Sequence, residues 1–181
     1  MLRKLRVVLG EFKLYINNYI INHIPSHTIR LLYYRNIMCF EIGENSYIHM
    51  GCVFNSPGKL KIGNNSVINR DCKFDTRGTI TIGNNVSISE GTYFWTSDHD
   101  PLSINFKGRV KPIIIDDYVY IGASAMVLLG CHLYKGSVLG ARSLLTKPIP
   151  EFEIWAGVPA LKIGDRNKNL TYTIRYKRLF Q

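Results

Sequence analysis

No stretch of this chain approaches the roughly 18 to 20 consecutive apolar residues that a membrane-spanning helix requires, so no spanning segment is expected. Cysteine is scarce. Cys39, Cys52, Cys72 and Cys131 form no CxxC pair and no dense framework, which argues against a zinc site or a disulfide scaffold and points to a reducing compartment. Acid is in short supply too: 13 Asp and Glu face 23 Lys and Arg, for a formal net charge of +10. That excess favours anionic partners, such as cofactor phosphates or a membrane surface. The cations are scattered or gathered near the two ends. With no RNP-like motif, zinc-finger spacing or groove-reading basic helix, no nucleic-acid partner is expected. Met1 to Arg6 is basic, but Glu11, Lys13, Asn17 and Asn18 break the apolar centre that a signal peptide needs. The expected location is the cytoplasm, with a contact to the inner face of the membrane as a secondary expectation.

What the chain has in abundance is internal repetition. Three blocks align without a gap at a period of 20 residues: EIGENSYIHMGCVFNSPGKL from Glu41, KIGNNSVINRDCKFDTRGTI from Lys61 and TIGNNVSISEGTYFWTSDHD from Thr81. Each opens with Ile-Gly (Ile42, Ile62, Ile82). Six residues on comes Ile48, Ile68 or Ile88, and six further Phe54, Phe74 or Phe94. After an interruption the same spacing runs through Ile115, Ile121, Val127, Leu133, Leu139 and Leu145. Neither a helical nor a two-residue period fits this pattern. A triangular solenoid does: each hexad is a short strand and a turn, the aliphatic residue points inward, and Gly or Asn permits the tight corner. Stacked coils place Cys52, Cys72 and Thr92 in one ladder and His49, Asn69 and Ser89 in another.

At 181 residues and 46% apolar content, one domain with its own core is expected. Leu2, Leu5, Leu9, Phe12 and Ile16 have helical spacing, and Pro25-Ser26 separates them from a second short helix at His27 to Tyr34. The expected division is a helical cap over 1–40, a solenoid over 41–164 and a basic tail over 165–181. The tail mixes Arg166, Lys168, Arg175, Lys177 and Arg178 with Tyr172, Tyr176 and Phe180, which suggests a short solvated strand or helix.

Together the Ile-Gly repeats, the TSDHDP loop, YIGASAMVLLGCHL, GARSLLTKPIP and WAGVPALKIG resemble the hexapeptide-repeat acyltransferases over about residues 41–164. Within that family they are most similar to the colanic acid and capsule polysaccharide O-acetyltransferases, with the maltose and galactoside acetyltransferases as cousins. The resemblance implies a left-handed parallel β-helix, against the usual right-handed crossover. It also implies a homotrimer with active sites between subunits, acetyl-CoA as cosubstrate and a sugar or glycan acceptor. No metal is required.

Acetyl transfer to an alcohol needs a proton acceptor, a place for the oxyanion and a grip on both substrates. Of five histidines, His99 alone lies where the repeat is interrupted, in a loop projecting at about 96–112. The family's catalytic histidine occupies a matching loop. A histidine making an incidental surface contact is the alternative. Asp98 could orient the imidazole or contact substrate, although turn capping by Asp98 or Asp100 before Pro101 is the simpler role. The resemblance also matches Asn69, 30 residues before His99, to an acceptor-binding asparagine, though it could equally be a corner asparagine. Arg70, Asp71 and Trp95 are further acceptor-site candidates. For acetyl-CoA the motifs match Ala123 and Ala141 to backbone contacts with the pantetheine arm, and Thr146 and Lys147 to a cofactor-binding pair. Gly122 and Gly140 would permit close approach. Where relatives often carry a cation directly after Pro-Ala, this chain has Leu161 and then Lys162, which stands as a substitute.

Three alternatives stay open. They are an N-acetyltransferase acting on an amino sugar or antibiotic, a non-catalytic scaffold, and a zinc hydratase of the same fold, which would need three converging histidines.

Overall fold

In chain order the computed structural model, which describes residues 2–175, begins with helices α1 (Leu2–Tyr19) and α2 (His27–Asn36). The first coil follows as β1 (Glu41–Ile42), β2 (Tyr47–Ile48) and β3 (Val53–Phe54). The second is β4 (Leu60–Ile62), β5 (Val67–Ile68) and β6 (Lys73–Phe74), and the third β7 (Ile80–Ile82), β8 (Ser87–Ile88) and β9 (Tyr93–Phe94). A hairpin of β10 (Ser97–His99) and β11 (Gly108–Val110) then leaves the solenoid. The coils resume with β12 (Ile113–Ile115), β13 (Tyr120–Ile121) and β14 (Met126–Val127), then β15 (His132–Leu133), β16 (Val138–Leu139) and β17 (Leu144–Leu145). An antiparallel pair, β18 (Glu153–Gly157) and β19 (Ala160–Asp165), closes the far end.

Every sixth residue turning inward makes three parallel faces. The first stacks β1-β4-β7-β12-β15, the second runs β2-β5-β8-β13-β16 and ends on β18-β19, and the third stacks β3-β6-β9-β14-β17. Register is one coil to one coil: Phe54 pairs with Phe74 and Phe74 with Phe94. Their rings stack at 5.3 and 4.8 Å along the axis. With Ile48, Ile68, Ile88, Ile121 and Leu139 on the second face, they are essentially buried. Each such side chain contributes roughly 1.5–3 kcal/mol of transfer free energy. Cys52 and Cys72 stack as the period requires, each thiol donating to the carbonyl of the next coil, at Asn69 and Ser89.

Corners dictate the remaining repeated residues. Asn45, Asn65 and Asn85 take left-handed backbone at the first corner, φ +54 to +55°, where Asn is among the few side chains tolerated. Beside them Asn64 Oδ1 accepts from Glu44 N at 2.7 Å and Asn84 Oδ1 from Asn64 N at 2.7 Å, a ladder that Asp117 extends. At the second corner Gly51, Asp71 and Gly91 hold the same left-handed slot.

The open end of a solenoid exposes unpaired strand groups, and the helices answer them. The Asn18 side chain pairs with both backbone groups of Phe54, donating to its carbonyl at 2.9 Å and accepting from its N–H at 3.1 Å. Buried Arg30 donates to Ile48 O, and Arg35 to the carbonyls of Ile42 and Gly43. Among the described residues no helix is long and apolar enough to cross a membrane.

The tail differs from the expected solvated strand or helix. After β19 the described part, to Arg175, has no regular structure and is strapped to the first corner. Arg166 donates to Tyr118 O and Gly136 O, and Ile174 N donates to Asn85 Oδ1. These bonds hold the strap to the coils, while most of its other residues are exposed. Tyr176, Lys177, Arg178 and Phe180 lie outside the described residues.

Candidate active site

The interruption expected as a loop over 96–112 is a two-stranded antiparallel hairpin, Ser97 opposite Val110, Asp98 opposite Arg109 and His99 opposite Gly108. Its base is anchored by Asp75, which follows the inward Phe74. The buried carboxylate accepts from Ser97 N at 3.0 Å and Ser97 Oγ at 2.7 Å, and takes a two-point contact from Arg77 at 2.7 and 3.1 Å. Burial by itself would raise the Asp75 pKa, but the bonds from Arg77 and Ser97 outweigh it and hold the group at about 2. Across the strands Arg109 grips Asp98 with two bonds of 2.7 Å, and this Arg109 hydrogen bonding lowers the Asp98 pKa. At the tip, Leu102 N donates to Asp100 Oδ1 and Ser103 N to Asp100 O, the turn-capping role read for an acid before Pro101.

His99 stands exposed on this frame. Its Nδ1 lies 2.8 Å from Phe106 O, and its ring is parallel to that of Phe106 at 4.2 Å and 5°. A carbonyl can only accept, so Nδ1 is the donor, and in the neutral imidazole Nε2 keeps the lone pair. Phe106 adopts left-handed backbone, φ +49°. Imidazole orientation thus comes from a backbone carbonyl, and Asp98, once a candidate for that role, is committed to Arg109. A cavity of about 270 Å³ opens beside His99, lined by Arg77, Ser97, Asp98, Gly108 and Arg109.

The other candidates divide between two edges of the prism. Trp95, Thr146 and Lys147 follow β9 and β17, on the third corner that also launches the hairpin. Asn69, Arg70 and Asp71 follow β5, while Gly122 with Ala123 and Gly140 with Ala141 follow β13 and β16; all seven share the second corner. One chain therefore groups His99 with Trp95 and leaves the Asn69 and Ala141 edge apart.

Several candidates have structural work here. The Asn69 amide donates to Ile88 O at 2.8 Å, a corner ladder bond, and Arg70 lies 3.8 Å from Glu90. Asp71 fills a left-handed slot that neighbouring coils give to Gly51 and Gly91. Gly122 and Gly140 are required by coil stacking: a Cβ would stand 2.4 Å from Ala141 N in the first case and 2.8 Å from Ala156 Cβ in the second. Ala123 and Ala141 are exposed one coil apart. Lys147 is exposed, its ammonium 5.1 Å from the Trp155 ring centroid. Lys162, the substitute cation, is bound to Glu153 at 2.9 Å and Asp165 at 2.8 Å, so its charge is already matched. His132 is likewise engaged, with Asp116 at 3.0 Å and stacked on Tyr134.

Sequence reasoning passed over Asp75, Arg77, Phe106 and Arg109. Asp75 carried a signal: the residue after the inward Phe is Asn55 in the first coil and Trp95 in the third, so an acid there is the odd one out. Phe106 carried none, since its contribution to the imidazole is a backbone oxygen.

This geometry defines a class: a hexapeptide-repeat left-handed β-helix with a histidine-bearing hairpin at one corner. The chain is 27% identical to a galactoside acetyltransferase solved with coenzyme A, over 88% of this chain and 80% of that one, with TM-score 0.78. It superposes on a hexapeptide-repeat-containing acetyltransferase from Vibrio cholerae, solved with acetyl coenzyme A, with TM-score 0.81 at 23% identity, over 89% and 88% of the two chains. In sequence it is 33% identical over 79 residues to a putative colanic acid biosynthesis acetyltransferase of Escherichia coli K12, covering 44% of this chain and 43% of the relative. The match thus spans less than half of that curated relative. No family model matches the chain. In sequence and in fold the chain is thus similar to the hexapeptide-repeat acetyltransferases, the family its motifs resemble.

Proposed function

We propose that this chain is an acetyl-CoA-dependent O-acetyltransferase acting on a sugar hydroxyl of a polysaccharide or glycan precursor in the cytoplasm. The observation that carries the reading is His99 on a braced hairpin, with Nδ1 tied to Phe106 O and Nε2 available as a base beside a cavity. Nε2 takes the hydroxyl proton, the alkoxide oxygen bonds to the thioester carbon, and a backbone N–H meets the oxyanion. Collapse expels CoA thiolate, which recovers the proton from imidazolium. Both substrates are held at once and no acyl-enzyme forms.

Ala123 and Ala141, exposed one coil apart along the second corner, fit an extended pantetheine arm, while Thr146 and Lys147, on the third corner, would reach the cofactor from the side that bears His99. Lys162 would have to exchange its ion pairs with Glu153 and Asp165 for a phosphate contact. Asn69, Arg70, Asp71 and Trp95 remain the proposed acceptor contacts. His99 and the Ala141 edge occupy different corners, so a homotrimer in which a neighbour's second corner faces His99 is part of the proposal.

The test is release of free thiol from acetyl-CoA with a panel of sugars, lipid-linked glycans and amines, for wild type and His99→Ala. Acceptor-dependent release that falls by about 10²–10⁴ in the variant, with CoA binding retained, is expected. Release with amines alone would move the assignment to N-acetylation. No thiol release and no CoA binding would leave the scaffold reading.

A further inference from the structure

Helix α1 is turned the wrong way round for a helix that belongs only to this domain. Its protein-facing side carries Leu14, buried Asn17 and Asn18, and Asn18 is spent on the Phe54 backbone. Its opposite side carries Leu5, Val8, Phe12, Tyr15 and Tyr19, spaced three and four residues apart on one face and each between 55% and 68% exposed. Leu9, half exposed, widens the stripe. Such a continuous apolar face in water marks an interaction surface.

The charge along the helix says what covers it. α1 contains Arg3, Lys4, Arg6 and Lys13 against the single acid Glu11, within a chain of net charge +10. At 100° per residue Lys13 falls at one margin of the apolar stripe. Two copies of α1 brought face to face would bring like charge together, whereas an anionic bilayer surface satisfies both the stripe and the helix's excess of positive charge. Tyr15 and Tyr19 suit a boundary that is apolar on one side and wet on the other.

We propose that α1 lies flat in the interfacial layer of an anionic membrane and docks the solenoid there. The inference stands on these residues and is independent of the acyl-transfer reading.

The test is co-sedimentation of the full chain with phosphatidylcholine vesicles, with and without phosphatidylglycerol, at low and high salt. Wild type should bind the phosphatidylglycerol vesicles and release as salt rises. Val8→Asp with Phe12→Asp, at two exposed positions, should weaken binding at least about tenfold. Its circular dichroism and melting temperature should stay those of wild type, which separates lost docking from lost folding. Wild type ignoring the anionic vesicles would overturn the proposal, as would a folded variant that binds as well as wild type. So would a sedimentation-velocity result in which the double variant splits an assembly of wild-type chains that shows no affinity for vesicles; α1 would then be an interface between copies.

Discussion

At the scale of single residues, the site rests on charges held in a narrow set of contacts. Asp75 holds the foot of the hairpin through Ser97 and Arg77. Its folded pKa of about 2 lies below the ordinary carboxylate value of 3.8, so the linked stability is fully present above about pH 4 and is lost as pH falls toward 2. The shift corresponds to roughly 2 kcal/mol, with the charge contributed by a buried group. Asp75→Ala is therefore expected to cost about 2–3 kcal/mol in urea unfolding at neutral pH, because it strands Ser97 and Arg77. In the variant the acid limb of the stability curve below about pH 4 should flatten, and His99-dependent turnover should fall with the hairpin's loss of support.

Elements are short here, two or three residues for most strands, so no strand is stable alone and each depends on the coil above and below. The ends are the weak places. Asn18 substitutes for a missing coil at β3 by satisfying both backbone groups of Phe54. Asn18→Ala is expected to lower stability by about 1–2 kcal/mol and to speed hydrogen exchange in β3 before β6 or β9, read by exchange mass spectrometry. The hairpin β10-β11 is held differently, by side chains instead of a hydrophobic face. Asp75 and Arg77 secure its foot, and the Asp98–Arg109 pair crosses it.

On the scale of the whole molecule, one chain presents His99, the proposed base, at one corner and the exposed Ala123–Ala141 edge at another. If neighbouring copies complete the site, two inactive variants with lesions on different corners should rescue each other. Mixing His99→Ala chains with Ala141→Trp chains under conditions that exchange subunits is expected to restore part of the thiol-release activity, while neither variant alone turns over. Failure of rescue in proven mixed oligomers would show that a single chain carries the whole site.

Much of the architecture was already legible in the sequence. A 20-residue period with inward Ile and Phe leaves only a stacked solenoid, since each repeat can bury its apolar residues only against another, and the strand registers follow from the repeat itself. The position of His99 was legible for the same reason, since it lies where the period breaks. What tertiary structure alone decided depends on contacts between residues distant along the chain or on backbone atoms without a side-chain signature. The Phe106 carbonyl sets which imidazole nitrogen is free. Lys162 is brought within ion-pair distance of Glu153 and Asp165. Coil stacking reserves Gly122 and Gly140 for the neighbouring backbone. The helical spacing of α1 could be read from sequence; which face it turns to water could not, because that was settled by Asn18 reaching the Phe54 backbone across the first coil.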